Sequence, residues 1–147
     1  FFYSYVLRPM EISKNCVGAS GTVVCDGNGG FKTQIRNTSP CTRKCTAEHE
    51  RQHIKDIIKR YPNSCKGRPE NALIDYGDGV DVVENLFYYY LECRGSSTSI
   101  ECATEELSSL RCGEGCGIDS SCCSELPAYI EHHKKIREKY LCAGYGW

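Results

Sequence analysis

Five consecutive residues of this 147-residue chain, His49-Glu50-Arg51-Gln52-His53, have the types and spacing that metal-assisted hydrolysis requires. On an α-helix the i,i+4 spacing sets His49 and His53 on one face a turn apart, where two imidazoles can grip one divalent ion with Glu50 beside them. Neutral imidazoles bind Zn²⁺ without cancelling its charge, so the ion stays acidic enough to lower the pKa of a bound water to about 7. Glu50 would then take the proton as general base and pass it to a leaving amine. The alternative is a surface helix carrying two ordinary histidines.

That chemistry needs a helix under the pentad, and the flanks supply one. Ser39-Pro40 offers an N-cap followed by proline at the first helical position, and Tyr61-Pro62-Asn63 offers a stop, so the pentad falls mid-helix in the stretch Cys41 to Cys65. Ile54, Ile57, Ile58 and Tyr61 continue an apolar stripe beside the histidines. A second helix is expected from Asp81, where Asp81-Val82-Val83-Glu84 has cap spacing and Leu86, Phe87, Tyr90 and Leu91 recur at helical intervals. Glu84 is then a capping residue, and Glu92 is the preferred third protein ligand for the ion. Gly95, three positions on, would let this helix pack closely against the pentad helix.

Glu101 is the rival ligand, with Glu105 and the remaining histidines behind it. Thr98 and Glu101 have S/T-x-x-E spacing, so Glu101 is read as closing the start of a third helix that runs to Arg111 and stops at Gly113. If the second helix instead continues through Gly95 and the serines, that capping role fails and Glu101 returns as a ligand. A last helix is expected from Ser124 to Leu141, with Leu126, Tyr129, Ile130, His133, Ile136 and Tyr140 facing the core and Glu131, Lys134, Lys135 and Glu138 outward. His132 and His133 are either satisfied helix residues, the commoner case, or groups that reach the site as ligand or oxyanion donor. Tyr88, Tyr89 and His133 are the candidate oxyanion donors.

Composition sets the frame. With 40% hydrophobic and 25% charged residues, the chain reads as one globular domain over residues 1–147. Its first forty residues look irregular or strand-like, and residues 41–142 look helical, giving a mainly α (α+β) fold. Val17 to Cys25 suggests a short hairpin or a cystine-closed loop. Asp26-Gly27-Asn28-Gly29-Gly30 reads as a surface loop, because no Lys-Ser or Lys-Thr follows to make it a phosphate cradle. Lys66 to Gly79 reads as a long loop bordering a cleft, in which Asp75 and Asp78 are turn formers or ligands for a hard cation. A net charge of −1 with both signs interspersed argues against a nucleic-acid partner. No apolar run approaches the roughly 20 residues needed for a bilayer, so membrane insertion is not expected. The missing initiator Met suggests a processed or excised domain.

Twelve cysteines spread over the whole chain read as a disulfide framework of up to six bridges. Recurring C-x₂-C pairs, which a zinc ribbon would need, are absent. This places the working protein in an oxidising compartment, secreted or periplasmic. Connectivity is not derivable, since the pairings number on the order of ten thousand. Cys45 lies four residues before His49 and is either bridged, the preferred reading, or a thiolate ligand in a closed structural zinc site. A disulfide-rich binding protein with an accidental pentad is the third possibility.

The segment Cys41-x₃-Cys45-x₃-His49-Glu50-x₂-His53, followed by Cys65, Glu92-Cys93-Arg94-Gly95, Cys102 and a helix ending in Cys142, resembles the cysteine-rich zincin-type metallopeptidase domains at the C-terminal ends of bacterial polymorphic and type VI secretion toxins. The resemblance covers residues 41 to 142. It implies a zincin-like helical fold, His49, His53 and Glu92 as Zn²⁺ ligands, and Glu50 as general base. It also implies delivery into a rival cell, a peptide, protein or peptidoglycan substrate, and a cognate immunity protein that plugs the cleft. Such domains usually carry alanine and tyrosine after the Glu-Cys-Arg segment, where this chain has Gly95 and Ser96.

Overall fold

Asp26 closes the first described element: its Oδ1 accepts hydrogen bonds from the backbone N–H of Asn28 at 2.7 Å and of Gly30 at 2.9 Å. Gly27 and Gly29 take positive φ there, +87° and +88°, a region open to glycine at no steric cost. The glycine-rich run is therefore the turn of an antiparallel hairpin joining β1 (Gly21–Cys25) to β2 (Phe31–Ile35), paired from Gly21 opposite Ile35 to Cys25 opposite Phe31. The computed structural model describes residues 21–35, 39–74, 86–110 and 120–147. The segments Phe1–Leu7, Asp75–Asp78 and Asp81–Glu84 and the expected stop at Gly113 lie outside them.

Helix α1 (Arg43–Arg60) carries the pentad at its middle. It begins later than Ser39-Pro40 suggests, because the Ser39 hydroxyl accepts from Cys41 N and bonds Glu125 instead of capping a helical N–H. The Ser39 carbonyl accepts from Thr42 and Arg43, which winds a preliminary turn into the helix. The stop falls where expected, with Tyr61 N bonded to Ile57 O. The apolar stripe is narrower than expected: Ile57 is buried, but Ile58 is 48% exposed.

Helix α2 (Leu86–Ser109) runs unbroken through Gly95, Ser96, Ser97, Thr98 and Ser99. The expected break at Thr98 does not occur. Serine and threonine end helices when their hydroxyls compete for backbone N–H groups. Here those hydroxyls have other partners: Thr98 donates to the Arg94 carbonyl, Ser99 meets His49, and Ser96 meets His133. Gly95, Ser96 and Ser99 are buried, so the small residues form a close-packing face.

Helix α3 (Ser120–Lys139) starts before Ser124, whose hydroxyl bonds Ser121 O inside the helix. Its expected faces hold: Leu126, Tyr129, His133, Ile136 and Tyr140 are buried, while Glu131, Lys134, Lys135 and Glu138 are exposed. A short α4 (Cys142–Tyr145) follows a left-handed residue, Leu141.

The fold is thus mainly helical with one two-stranded sheet. Helix α2 packs between α1 and α3, and the hairpin covers α1. Cys45, Cys102, Ala103, Leu126 and Tyr129 form one core cluster; Val23, Ile57, Phe87 and Leu91 form another beneath the hairpin. Among the described residues the disulfides are Cys25–Cys65, Cys41–Cys122, Cys45–Cys102 and Cys93–Cys142, and Cys123 is bridged as well. Such bridges typically contribute about 2–4 kcal/mol each by restricting the unfolded chain. They suggest an oxidising, extracellular or periplasmic environment. Among the described residues, no helix is long and apolar enough to cross a membrane.

Candidate metal centre

The face of α1 turned towards α2 carries His49, Glu50 and His53, exposed to only 3%, 4% and 3%. The two imidazole centroids are 4.6 Å apart, edge to face. From α2, Glu92 brings Oε2 to 3.5 Å from His53 Nε2 and Oε1 to 3.9 Å from His49 Nε2. Glu50 Oε2 approaches the same His49 nitrogen at 4.0 Å. Two imidazole nitrogens and two carboxylates therefore converge in a space closed to bulk water.

Two glycines make that convergence possible. A Cβ on Gly95 would lie 2.7 Å from His53 Cε1 and 2.8 Å from His49 Nε2, so no larger residue lets α2 approach α1 here. A Cβ on Gly21 would lie 2.9 Å from Glu50 Cγ, so β1 covers the carboxylate with bare backbone. Gly95 was legible as a close-packing position; nothing in the sequence pointed to Gly21.

His49 Nδ1 lies 2.8 Å from Ser99 Oγ, and Tyr129 donates its hydroxyl to the same oxygen at 3.2 Å, with Thr46 Oγ1 3.4 Å from the phenol. His49 Nε2 is buried without a hydrogen-bond partner. A proton on Nε2 would have no acceptor there, whereas a proton on Nδ1 has Ser99. The ring thus turns an Nε2 lone pair towards the two carboxylates. This is the orientation of a metal-ligating histidine whose second nitrogen is fixed by an outer partner.

Burial dominates the electrostatics. It drives His49 down to about 3, helped by the charge of His53 and opposed by Glu92. Burial raises Glu50 to about 7, with Glu92 adding and His53 opposing. At His53 burial pulls the pKa down, but Glu50 and Glu92 outweigh it and the net shift is upward. At Glu92 burial pushes up, but the hydrogen bond and charge of His53 win and the net shift is downward. Without an ion, His53 and Glu92 pair while His49 stays neutral. The His49, Glu50 and His53 ligand atoms lie within 4.8 Å of one another, and this buried group can hold a metal ion.

The rivals fall elsewhere. Because α2 is continuous, Glu101 sits nine residues past Glu92, about half a turn out of phase at 3.6 residues per turn, and is exposed, as is Glu105. Losing its capping role does not bring Glu101 back to the site. Cys45 is bridged to Cys102, which removes it as a thiolate ligand and fastens α1 to α2 one turn from His49. Tyr88 and Tyr89 pack their rings against Tyr140. His133 does border the site, with its ring 5.2 Å from that of His49 and Nδ1 3.1 Å from Ser96 Oγ. Its burial and the neighbouring histidines hold it well below the usual histidine range. His132 is half-buried beside it.

Asp56, one turn beyond His53, is an addition that sequence reasoning missed. It is 2% exposed, and its Oδ2 accepts from Arg94 Nε at 2.9 Å and Gln52 Nε2 at 3.1 Å. Its i,i+3 spacing from His53 was the available signal. Compared with protein-family models, curated proteins and solved structures, the chain matches none.

Proposed function

We propose that this chain is a zinc-dependent metallopeptidase with His49, His53 and Glu92 as ligands and Glu50 as general base. The observation that carries this reading is the buried convergence of both imidazoles and Glu92, with His49 Nε2 unpartnered and aimed into it. Two imidazoles and one carboxylate match the ligand set of catalytic zinc, which keeps an open coordination position, whereas closed structural sites favour several thiolates. When bound, the ion supplies Lewis acidity that activates water and polarises a carbonyl.

The chain's own residues do the remainder. Ser99 and Tyr129 hold the His49 ring so that Nε2 is the free nitrogen. Glu50, made more basic by burial, takes a proton from water and delivers it to the leaving amine. His133 is our choice as donor to the developing oxyanion, supported by its burial and its ring contact with His49. The hairpin and α2 exclude bulk water through their glycines.

We take the working protein to be secreted or periplasmic, an antibacterial effector domain cutting a protein or peptidoglycan peptide and restrained by a cognate immunity protein. The disulfides and the likeness of its motif to toxin metallopeptidases support that setting. Elemental analysis tests the metal assignment: native, Glu50→Ala and Glu101→Ala proteins should each hold about one zinc, and Glu92→Ala should lose it. Peptide hydrolysis should vanish in Glu50→Ala. If the native protein holds no zinc even when supplied with it, the chain is a cystine-stapled binding protein.

A further inference from the structure

One turn beyond His53, α1 and the start of α2 line an open cleft of about 920 Å³ that runs from Asp56 to Trp147. Tyr61, Phe87, Tyr90 and Trp147 give it aromatic walls. The Tyr90 and Trp147 rings meet edge to face at 5.3 Å, and Trp147 is fixed by its N–H on Cys142 O and by Arg137 on its carbonyl. Lys59 and Arg60 stand exposed on the rim, the Arg60 guanidinium 5.7 Å from the Tyr61 ring centroid and 5.8 Å from that of Phe87. Among the described residues neither cation meets a carboxylate. Asp56, the one acidic residue of the described lining, gives Oδ2 to Arg94 and Gln52, while its Oδ1 is buried without a hydrogen-bond partner.

The cleft is part aromatic and part polar, with Lys59 and Arg60 at its mouth unpaired with any carboxylate among the described residues, and is of a size typical for ligand sites. Aromatic walls take an apolar side chain, and a guanidinium already laid on rings presents its donors to a carboxylate. The cleft neighbours the metal centre: Asp56 lies one turn past His53 on α1 and is held by Arg94, two residues past Glu92 on α2, and the Arg94 guanidinium lies 5.6 Å from the Tyr90 ring centroid. We infer that the cleft is a substrate subsite for a peptide residue whose apolar side chain stands beside a carboxylate. The inference rests on the peptidase reading for its role, but not for its binding. That carboxylate is either a peptide's own C-terminus or a neighbouring acidic side chain.

The chain has a single tryptophan, Trp147, so its fluorescence reports the cleft wall directly. Three acetylated tripeptides ending in Phe serve as probes: one with a free C-terminal carboxylate, one with a C-terminal amide, and one amide with Asp before the Phe. Each is titrated into zinc-supplied Glu50→Ala protein and, in parallel, into native protein stripped by chelator, so that no peptide is cleaved. The expected result is a saturable change in Trp147 emission with at least one carboxylate-bearing peptide, and binding of the neutral amide about tenfold weaker. The Lys59→Glu/Arg60→Glu protein should lose that preference. Equal binding of all three peptides, an unchanged preference in the charge-reversed protein, or no emission change would overturn the subsite. Carboxylate-selective binding without hydrolysis by the native protein would uphold the subsite and remove the peptidase; hydrolysis without that selectivity would do the reverse.

Discussion

Ser99 Oγ lies 2.8 Å from His49 Nδ1, and through this contact α2 decides which nitrogen of an α1 histidine is free. Tyr129 of α3 donates to the same oxygen, so three helices set one imidazole. Removing an outer partner of this kind typically costs about 10- to 100-fold in metal affinity. Ser99→Ala should weaken zinc binding by that amount in a chelator competition, Tyr129→Phe should weaken it less, and Glu101→Ala should not change it. Affinity unmoved in Ser99→Ala would show that the hydrogen bond does not orient the ring.

At Gly95 even one methyl group meets both imidazoles, since its carbon would fall 2.7 to 2.9 Å from His53 and His49 ring atoms. Gly95→Ala should destabilise the fold by about 1–3 kcal/mol, as overpacking does. It should also lose zinc. Urea unfolding and elemental analysis read the two effects separately, and a variant that keeps both stability and zinc would mean the helices can part freely.

Chelation and reduction should act on different properties. The helices are fastened to one another by Cys45–Cys102 and Cys41–Cys122 without any ion. EDTA should therefore abolish hydrolysis while far-UV circular dichroism stays native. Dithiothreitol should unfold the protein whether or not zinc is present. Unfolding by EDTA alone would show that the centre is structural.

The Arg94–Asp56 pair should respond asymmetrically. The Arg94 side chain is 41% exposed and Asp56 1%, so losing the arginine strands a buried carboxylate, while losing the aspartate returns the arginine to water. Arg94→Ala should cost about 1–3 kcal/mol and Asp56→Ala less than that before cavity effects, by thermal or urea unfolding. The reverse order would mean that Asp56 is mainly a packing group.

Helix α1 was legible because two local signals agreed, the histidine spacing and the Tyr61-Pro62 stop. The approach of α2 was legible because Gly95 follows Glu92 at close-packing distance. Thr98 misled because S/T-x-x-E marks a helix start only when nearby N–H groups lack partners, and in α2 the preceding carbonyls already serve them. Ser99, Tyr129 and Gly21 were invisible for a different reason. Their roles come from pairings 29, 30 and 50 residues apart in the chain, and a serine or glycine carries no mark of such a partner. The cystine pairs were hidden by number alone, although the even count already pointed to bridges.

The bridges also govern how anything can enter a centre so thoroughly enclosed. Cys45 and Cys102 hold α1 and α2 with their Cα atoms 5.5 Å apart one turn from His49, and Cys93–Cys142 ties α2, next to Glu92, to α4. The hairpin is anchored by Cys25–Cys65 at the far end of β1 from Gly21. That leaves the Gly21 end, resting on Glu50 without a side chain of its own, as the edge among the described residues that no cystine restrains.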